Sequence, residues 1–448
     1  MFKKVLIANR GEIAVRILRA CRELGIQAVV AYSEADRDSL PVLLADEAVC
    51  VGPARAYDSY LNVSRIVAAA QTTNCDAVHP GYGFLSESPE FVDALESCGA
   101  VFVGPRAETM RLLGDKIAAR AAMTAAGVPV TPGSDGEVRE LAEAEKVCAA
   151  LGYPVLVKAA AGGGGKGMRV IRRDKDLEAG FRMCRAEAKA SFDDARVYIE
   201  KYVTGSRHIE VQILADSSGT VAHLGERDCS CQRRHQKLVE ETPAPNLDAL
   251  SRARLTGWAV AAARAAGYVN AGTVEFICDE AGNCYFMEMN VRLQVEHAIT
   301  EMVTGVDIVR EQFRIAALEP LGPDIAAASE RGPDGHAIEC RIYAEDPDAD
   351  FAPSPGLVTR LHLPGGPGVR VDSHLETWYR VHASYDPLIA KVCAWAPDRD
   401  AAMARMDRAL AETVIAGVTT TAPFLRRVIR DGRFRRGRMS TNTLDENF

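Results

Sequence analysis

The chain has 448 residues, of which 48% are hydrophobic and 25% charged, so it is a globular protein too long for one core, and two or three domains are expected. Its formal net charge of −8 argues against a nucleic-acid partner, because nucleic-acid-binding proteins need basic surfaces to neutralise phosphates. The 12 cysteines include no C-x-x-C pair, which predicts buried thiols in a reducing compartment rather than a zinc site. Charged residues near the N-terminus and the lack of an 18-residue apolar run predict a cytoplasmic protein without a membrane segment.

The first hundred residues alternate between short apolar strands and helices. We predict strands at residues 4–8, 27–32, 76–79 and 100–103, and a helix over 11–24. This pattern indicates an open, mostly parallel sheet, in which ligands usually bind at the carboxyl ends of the strands. The glycine-rich segment His79–Glu87 falls at such an end. It is either a ligand-binding loop or a tight turn that needs its glycines.

A run of four glycines lies between Lys158 and Lys166, with predicted strands over 153–159 and 168–171 on either side. The run differs from a Walker A loop at Ala160 and Gly167, and a Rossmann turn would lead into a helix instead of a strand. A glycine hairpin remains, and its bare backbone suits a lid over phosphates. The alternative is a flexible surface hairpin.

The segment Glu226–Lys237 is unusually polar and contains the run Arg233-Arg-His-Gln-Lys237. A charge run of this kind is either a solvated face or a loop whose cations meet an anionic substrate. The sequence leaves both interpretations open.

The segment Glu288–Glu296 alternates polar and apolar residues, as on a strand with one polar face. Glu288 and Asn290, with Glu275 upstream, offer hard oxygen ligands of the type that Mg²⁺ accepts beside nucleotide phosphates. Arg292 offers a planar fork that matches a small oxyanion such as carbonate or phosphate. We therefore expect a metal–nucleotide site here rather than a solvated sheet face.

Residues 320–335 are rich in Pro, Gly, Ala and Ser, which predicts a linker. Beyond it we predict strands at 337–343, 356–363 and 388–394 and one amphipathic helix over 401–415. These elements indicate a compact α+β third domain.

Taken together, the segments resemble biotin carboxylase, a family of the ATP-grasp superfamily. The resemblance rests on Ile7–Ile13, His79–Glu87, Gly163–Met168, Glu226–Ser230, Arg233–Lys237, Gln294–His297 and Cys340–Pro347. It implies an ATP-grasp fold of α/β and α+β class. The implied domains are an N-terminal Rossmann-like domain (1–114), an ATP-grasp domain (115–330) with a glycine-loop lid subdomain (about 131–203), and a C-terminal α+β domain (331–448).

The resemblance also implies roles for individual residues. The ATP contacts would be Lys116, Lys158, Glu200, Lys201, Val203, His208 and His235, with Gly164 and Gly165 in the lid. The ligands of a divalent cation, Mg²⁺ or Mn²⁺, would be Glu275, Glu288 and Asn290. The bicarbonate contacts would be Lys237, Arg292, Gln294 and Val295. Glu296 would be the base, Arg341 would face the biotin ureido oxygen with Tyr82 nearby, and Arg19 and Glu23 would lie at a homodimer contact.

The implied reaction is ATP- and bicarbonate-dependent carboxylation of biotin through carboxyphosphate, as the first half-reaction of an acetyl-CoA carboxylase-type complex in fatty acid synthesis. The chain has no Met-Lys-Met sequence for biotin attachment and no room for a carboxyltransferase. The biotin carboxyl carrier protein and the carboxyltransferase subunits are therefore expected as separate chains. The alternatives are a propionyl-CoA, pyruvate or urea carboxylase system, another ATP-grasp ligase, or a non-catalytic nucleotide-binding subunit.

Several positions depart from the usual family pattern, including Cys231 and residues 381–384. Val291 stands where threonine is common, Ala298 where proline is common, and Thr441 where an apolar residue often touches adenine. None of these departures removes a proposed catalytic group.

Overall fold

The N-terminal part of the chain is a five-stranded parallel sheet with helices packed against it. The computed structural model describes residues 1–162 and 167–448. The elements of this part are β1 (Lys4–Ile7), α1 (Gly11–Glu23), β2 (Gln27–Ser33), α2 (Leu40–Leu44), β3 (Glu47–Gly52), α3 (Val63–Thr72), β4 (Ala77–His79), α4 (Pro89–Ser97), β5 (Val101–Phe102) and α5 (Ala107–Gly114). The strand order β3-β2-β1-β4-β5, with every pair parallel, confirms the predicted sheet. The order reverses between β1 and β4, so the loops after these strands leave a crevice between them.

A three-stranded antiparallel sheet follows, with its own small hydrophobic core. The elements are α6 (Lys116–Ala125), α7 (Leu141–Leu151), β6 (Val155–Ala159), β7 (Met168–Ile171), α8 (Leu177–Phe192) and β8 (Val197–Lys201). Strands β6 and β7 pair antiparallel with Lys158 opposite Met168, which confirms the hairpin around the glycine run. Gly164 and Gly165, predicted to belong to a lid, fall outside the described residues.

An eight-stranded antiparallel sheet forms the centre of the molecule. The elements of the middle third of the chain are β9 (Arg207–Ala215), β10 (Val221–Arg233), β11 (Gln236–Thr242), α9 (Ala249–Ala265), β12 (Asn270–Cys278), β13 (Cys284–Asn290), α10 (His297–Thr304), α11 (Ile308–Ala316) and α12 (Pro323–Arg331). The elements of the C-terminal third are β14 (His336–Tyr343), β15 (Glu345–Asp346), β16 (Ala352–Pro353), β17 (Gly356–Leu357), β18 (Arg360–His362), β19 (Val369–Ser373), β20 (Arg380–Val381), β21 (Leu388–Ala396), α13 (Arg399–Glu412), β22 (Val414–Ala416), α14 (Ala422–Arg430), α15 (Gly432–Arg435) and α16 (Thr443–Asn447). The strand order is β13-β12-β9-β10-β11-β14-β21-β19.

The C-terminal third has the predicted α+β composition, but its long strands do not form a sheet of their own. Strand β14 pairs with β11, so β14, β21 and β19 extend the sheet that begins with the strands of the middle third. Backbone hydrogen bonds therefore run without interruption from the strand bearing Glu288 to the strand bearing Lys391.

Two of the C-terminal predictions were wrong. The predicted linker at 320–335 contains helix α12, which begins with Pro323 in its first turn and buries Ile325 and Ala328, one helical turn apart, against the core. The predicted strand over 356–363 divides into β17 and β18, which pair with different partners, β20 and β22. The predicted helix over 401–415 is α13, and it gives way to strand β22 after Glu412.

The cysteines follow the prediction with one exception. Of the ten free cysteines in the described chain, seven are buried. Cys278 and Cys284 face each other across β12 and β13 and are joined by a disulfide, which the scattered spacing did not reveal. Among the residues described, no helix has both the length and the apolar character needed to cross a bilayer.

Candidate active site

A cavity of about 1040 Å³ lies between the parallel sheet, the three-stranded sheet and the central sheet. The predicted site residues that line it are Tyr82, Lys116, Lys158, Glu200, Lys201, Val203, His208, His235, Lys237, Glu275, Glu288, Asn290, Arg292, Gln294, Val295 and Arg341. The structure thus brings together residues from all three thirds of the chain. Glu296 lies beneath the cavity wall and is 1% exposed. Arg19 and Glu23 lie elsewhere, on the exposed face of α1.

The predicted cation ligands lie on two adjacent strands. Glu275 on β12 is directly opposite Glu288 on β13, and Thr273 is opposite Asn290, so Glu275, Glu288 and Asn290 share one face of the sheet. Burial alone would raise the pKa of Glu275, but Lys237 and His208 lower it below its ordinary value. The carboxylate is therefore ionised. Two carboxylates and an amide oxygen facing one cavity fit a hard divalent cation such as Mg²⁺.

The expectation of a continuous strand over Glu288–Glu296 was wrong. Strand β13 ends at Asn290, and residues 291–296 form an irregular segment before α10. The side chain of Arg292 donates to Asn290 Oδ1 (3.1 Å) and Gln294 Oε1 (2.9 Å), and these local bonds replace a strand ladder. Arg292, Gln294 and Glu296 therefore converge on the site through a turn, not through the pleat of a strand.

Lys237 on β11 is the centre of the charge network. Its Nζ lies 2.6 Å from Glu210, 2.9 Å from Glu275 and 2.8 Å from Glu296. Burial by itself would lower the pKa of Lys237, but the three carboxylates raise it well above its ordinary value. A positive charge is thus held at the cavity wall, which the guanidinium of Arg292 also lines. This arrangement suits a small anion.

Glu296 lies between two cations. Its Oε1 accepts from Lys237 and its Oε2 from Arg341 Nη2, at 2.8 and 3.0 Å. Burial would raise the pKa of Glu296, but Lys237, Arg341 and Arg227 lower it well below the ordinary value. At the other edge of the Arg341 guanidinium, Nε is 2.6 Å from Glu240 Oε1. A buried, ionised carboxylate beside an anion site can accept a proton from the bound anion.

Three of the predicted ATP contacts, Lys158, Glu200 and Lys201, lie on the three-stranded sheet, and Lys116 begins helix α6. Lys158 Nζ is 3.0 Å from Glu200 Oε1, and Arg120 contacts the other oxygen of Glu200 at 3.2 Å. The pKa of Lys158 is raised, since the attraction of Glu200 outweighs burial. Lys116 donates to the carbonyl of Gly162, and burial lowers the pKa of its ammonium. Two lysines thus face the part of the cavity next to the glycine hairpin.

Two other predicted contacts have defined partners. His208 Nε2 lies 3.3 Å from Glu275 Oε2, which places it beside the candidate metal site. Lys201 lines the cavity, but its ammonium donates to the carbonyl of Gly152 at 2.9 Å.

The sequence did not single out two further residues of the site. Glu210 on β9 is fully buried and contacts Lys237 and Arg227, each at 2.6 Å. Its alternation with His208 and Gln212 was the available signal, because the three share one strand face. Glu240 had no such signal, since Glu-Glu pairs are common on surfaces. Burial raises the pKa of Glu240 to about 8, against the attraction of Arg341.

Three family models match the chain. The biotin carboxylase N-terminal domain matches residues 1–110, the carbamoyl-phosphate synthase L chain ATP-binding domain 115–323, and the biotin carboxylase C-terminal domain 339–446. The biotin carboxylase of Allochromatium vinosum is 53% identical and is matched over 100% of this chain and 98% of its own length.

Solved structures give the same result. A biotin carboxylase from Campylobacter jejuni, in a complex described as β-γ-ATP, superposes with a TM-score of 0.96 at 47% identity, covering 100% of this chain and 99% of its own. The biotin carboxylase domain dimer of Hydrogenobacter thermophilus 2-oxoglutarate carboxylase, solved with MgADP, ADP and bicarbonate, superposes with a TM-score of 0.93 at 47% identity, covering 100% and 98%. The match in sequence, domain order and fold extends along the whole chain. This chain therefore belongs to the biotin carboxylase family of ATP-grasp ligases.

Proposed function

We propose that this enzyme transfers CO₂ from bicarbonate to biotin on a separate carrier protein, with cleavage of ATP to ADP and phosphate and with carboxyphosphate as intermediate. The observation that carries the proposal is the position of Glu296 between Lys237 and Arg341, next to an anion site and a nucleotide site. The reaction needs two steps, the activation of bicarbonate and the carboxylation of biotin. Glu296 would be the base of the first step. Lys237 and Arg341, both within 3 Å of Glu296, would be the cations for bicarbonate and for biotin.

The first step is phosphorylation of bicarbonate by ATP. Lys116 and Lys158 would contact the phosphates and offset the negative charge that spreads over the transferring phosphoryl group. Glu275, Glu288 and Asn290 would hold Mg²⁺ or Mn²⁺, which supplies further charge neutralisation between the phosphates when bound. The bound nucleotide and metal in the relative from Hydrogenobacter thermophilus support this assignment.

Bicarbonate would bind between Lys237 and Arg292, with Gln294 and the backbone of Val295 completing the subsite. Glu296 would take its proton and so make the oxygen a better nucleophile toward the γ-phosphorus. A bound anion shares Lys237 with Glu296, which weakens the hold of Lys237 on the carboxylate. We therefore expect the pKa of Glu296 to rise when bicarbonate binds, which improves it as a base.

In the second step, carboxyphosphate yields CO₂ and phosphate, and that phosphate takes the proton from N1 of biotin. Arg341 would stabilise the negative charge that develops on the ureido oxygen through a charge-assisted hydrogen bond. Arg341 Nε lies 2.6 Å from Glu240 Oε1, and Arg341 Nη2 donates to Glu296. Tyr82 also lines the cavity.

The acceptor of the carboxyl group follows from the complex in which the enzyme works. We propose an acetyl-CoA carboxylase-type complex for fatty acid synthesis, with a biotin carboxyl carrier protein and carboxyltransferase subunits as separate chains. Propionyl-CoA, pyruvate and urea systems are the alternatives, and one similar domain belongs to a 2-oxoglutarate carboxylase. We also propose a homodimer that involves Arg19 and Glu23, and the cytoplasmic location stays a prediction.

The activity is tested with ATP, Mg²⁺ and [¹⁴C]bicarbonate in the presence or absence of free biotin. We expect acid-labile label on biotin and ATP cleavage that rises when biotin is added. No labelled biotin and a rate that biotin does not change would contradict the assignment. The acceptor is then tested by isolating the complex through its biotinylated carrier and supplying candidate acceptors. Label in malonyl-CoA supports the acetyl-CoA system, and label only in another product contradicts it.

A further inference from the structure

One face of the C-terminal half of the central sheet carries a row of charged side chains beneath the active site. Arg341 on β14 is directly opposite Lys391 on β21, which is directly opposite Asp372 on β19. All three are at least 93% buried. Helices α1 and α10 pack against β21 in this part of the sheet. Two members of the row reach the segment 291–296, because Lys391 donates to the Val295 carbonyl and Arg341 donates to Glu296.

Lys391 makes a hydrogen bond to the backbone in addition to its ion pairs. Its ammonium lies 3.2 Å from Glu12 Oε1 and 3.8 Å from Asp372 Oδ2, and it also donates to the carbonyl of Val295 at 2.7 Å. Lys391 is 0% exposed, and the attraction of Glu12, Glu339 and Asp372 outweighs burial and raises its pKa. The charged ammonium of Lys391 thus donates a hydrogen bond to the peptide that joins Val295 to Glu296.

The neighbouring peptide is held in the same way. His297 Nδ1 lies 2.8 Å from the carbonyl oxygen of Gln294, and burial lowers the pKa of His297 well below its ordinary value, so the ring is neutral and Nδ1 is its N–H donor. The carbonyls of Gln294 and Val295 are therefore both held from the buried side. Because a trans peptide places N–H opposite C=O, the amides of Val295 and Glu296 point away from these partners.

We propose that Lys391 is a positioning residue for the bicarbonate subsite, because its hydrogen bond to the Val295 carbonyl fixes the segment that carries Arg292, Gln294 and Glu296. This proposal rests on the proposed function of that segment. Glu12 links Lys391 to Tyr82, a residue that lines the cavity, because Tyr82 donates to the same oxygen, Glu12 Oε1. The competing explanation is that Lys391 only neutralises Glu12 and Asp372 in the folded protein.

The test compares Lys391→Met with Lys391→Arg and with Asp372→Asn as the matched control. Asp372 faces Lys391 and pairs with Arg370 at 2.7 Å, and among the described residues its side chain makes no hydrogen bond or ion pair with segment 291–296. Steady-state kinetics of bicarbonate-dependent ATP cleavage give the KM for bicarbonate, the KM for ATP and kcat for each variant. Thermal unfolding is measured in parallel.

We expect Lys391→Met to raise the KM for bicarbonate about tenfold or more and to leave the KM for ATP within about twofold, because a misplacement of ~1 Å in a site can cost ~10²-fold. Lys391→Arg should recover part of the loss, since its guanidinium can still donate to Val295. Asp372→Asn should lower the melting temperature without changing the KM for bicarbonate.

The proposal is overturned if Lys391→Met lowers the melting temperature but leaves the KM for bicarbonate and kcat within twofold, or if both KM values rise equally. If Lys391→Met does not fold, Lys391→Met/Asp372→Asn removes one charge of each sign and is judged by the same two KM values. A wild-type enzyme without bicarbonate-dependent ATP cleavage would refute the proposed function itself. An active wild type with unaffected Lys391 variants would refute only the positioning role.

Discussion

Glu296→Gln removes one ionisable group from the active site and keeps the size and shape of the side chain. Glu296 is 1% exposed and accepts from Lys237 and Arg341. The amide of glutamine can still accept one of these bonds, but it cannot take a proton from bicarbonate. The variant therefore separates the loss of a base from the loss of packing.

The two expected effects differ in size. A general base typically contributes ~10²–10⁴-fold, which corresponds to a barrier increase of about 3–5 kcal/mol. The effect on stability is smaller, because Lys237 retains Glu210 and Glu275 and Arg341 retains Glu240, all within 2.9 Å. The free energy of unfolding should thus fall by less than the ~3–5 kcal/mol typical of an isolated buried ion pair that loses one partner.

The assay is bicarbonate-dependent ATP cleavage, with nucleotide affinity measured by the displacement of a fluorescent ATP analogue. Glu241→Gln is the matched control, because Glu241 is also buried and loses pairs with Arg399 (2.6 Å) and His336 (2.8 Å) outside the cavity. We expect Glu296→Gln to abolish most turnover with nucleotide affinity nearly intact, and Glu241→Gln to stay active. Turnover of Glu296→Gln within threefold of wild type would refute the role of Glu296 as base.

Three further predictions follow from the same geometry. Arg341→Gln should spare most biotin-independent ATP cleavage but lower biotin carboxylation by about 3 kcal/mol of barrier, and an equal loss of both rates would contradict its action on biotin. Glu288→Gln should raise the Mg²⁺ concentration needed for half-maximal ATP cleavage by about tenfold or more, and an unchanged Mg²⁺ dependence would exclude it as a ligand. Burial lowers the pKa of His79 to about 3, so the unfolded chain binds a proton that the folded chain does not as the pH falls from about 6.5 to 3. Stability should fall by up to ~1.4 kcal/mol per pH unit in this window, and His79→Gln should show a shallower fall in urea unfolding measured at pH 6.5 and 4.5.

Much of the fold and the site followed from local sequence patterns. Alternating strands and helices predicted the parallel sheet, because burial on both faces of such a sheet requires short apolar strands. The polar alternation around Glu288 predicted a ligand site, and Glu275 and Glu288 do lie opposite each other in register. The strands on both sides of the glycine run pair as predicted, since β-branched and apolar residues there favour strands.

The predictions that were wrong here concern where a strand ends and whether a segment is helical. The alternation of residues 288–296 continues past the point where β13 ends, because Leu293 packs into the core and Arg292 bonds to its own neighbours instead of facing a partner strand. A period of two in the sequence does not report whether a partner strand exists. Helix α12 was missed because its small residues look like a linker until Ile325 and Ala328 meet the core.

The sequence by itself determined which chemical groups this protein possesses, and from them we propose two carboxylates and an amide as metal ligands, lysines as phosphate contacts and Glu296 as a base. The tertiary structure alone decided which of these groups form ion pairs and hydrogen bonds with one another. Lys237, Glu210 and Glu296 meet within 3 Å although they lie far apart along the chain, and Lys391 reaches Val295 across 96 residues. The pKa values of Lys237, Glu296 and Lys391 depend on burial and on these long-range contacts, because the energy of a charge is set by its neighbours in space and by its exclusion from water.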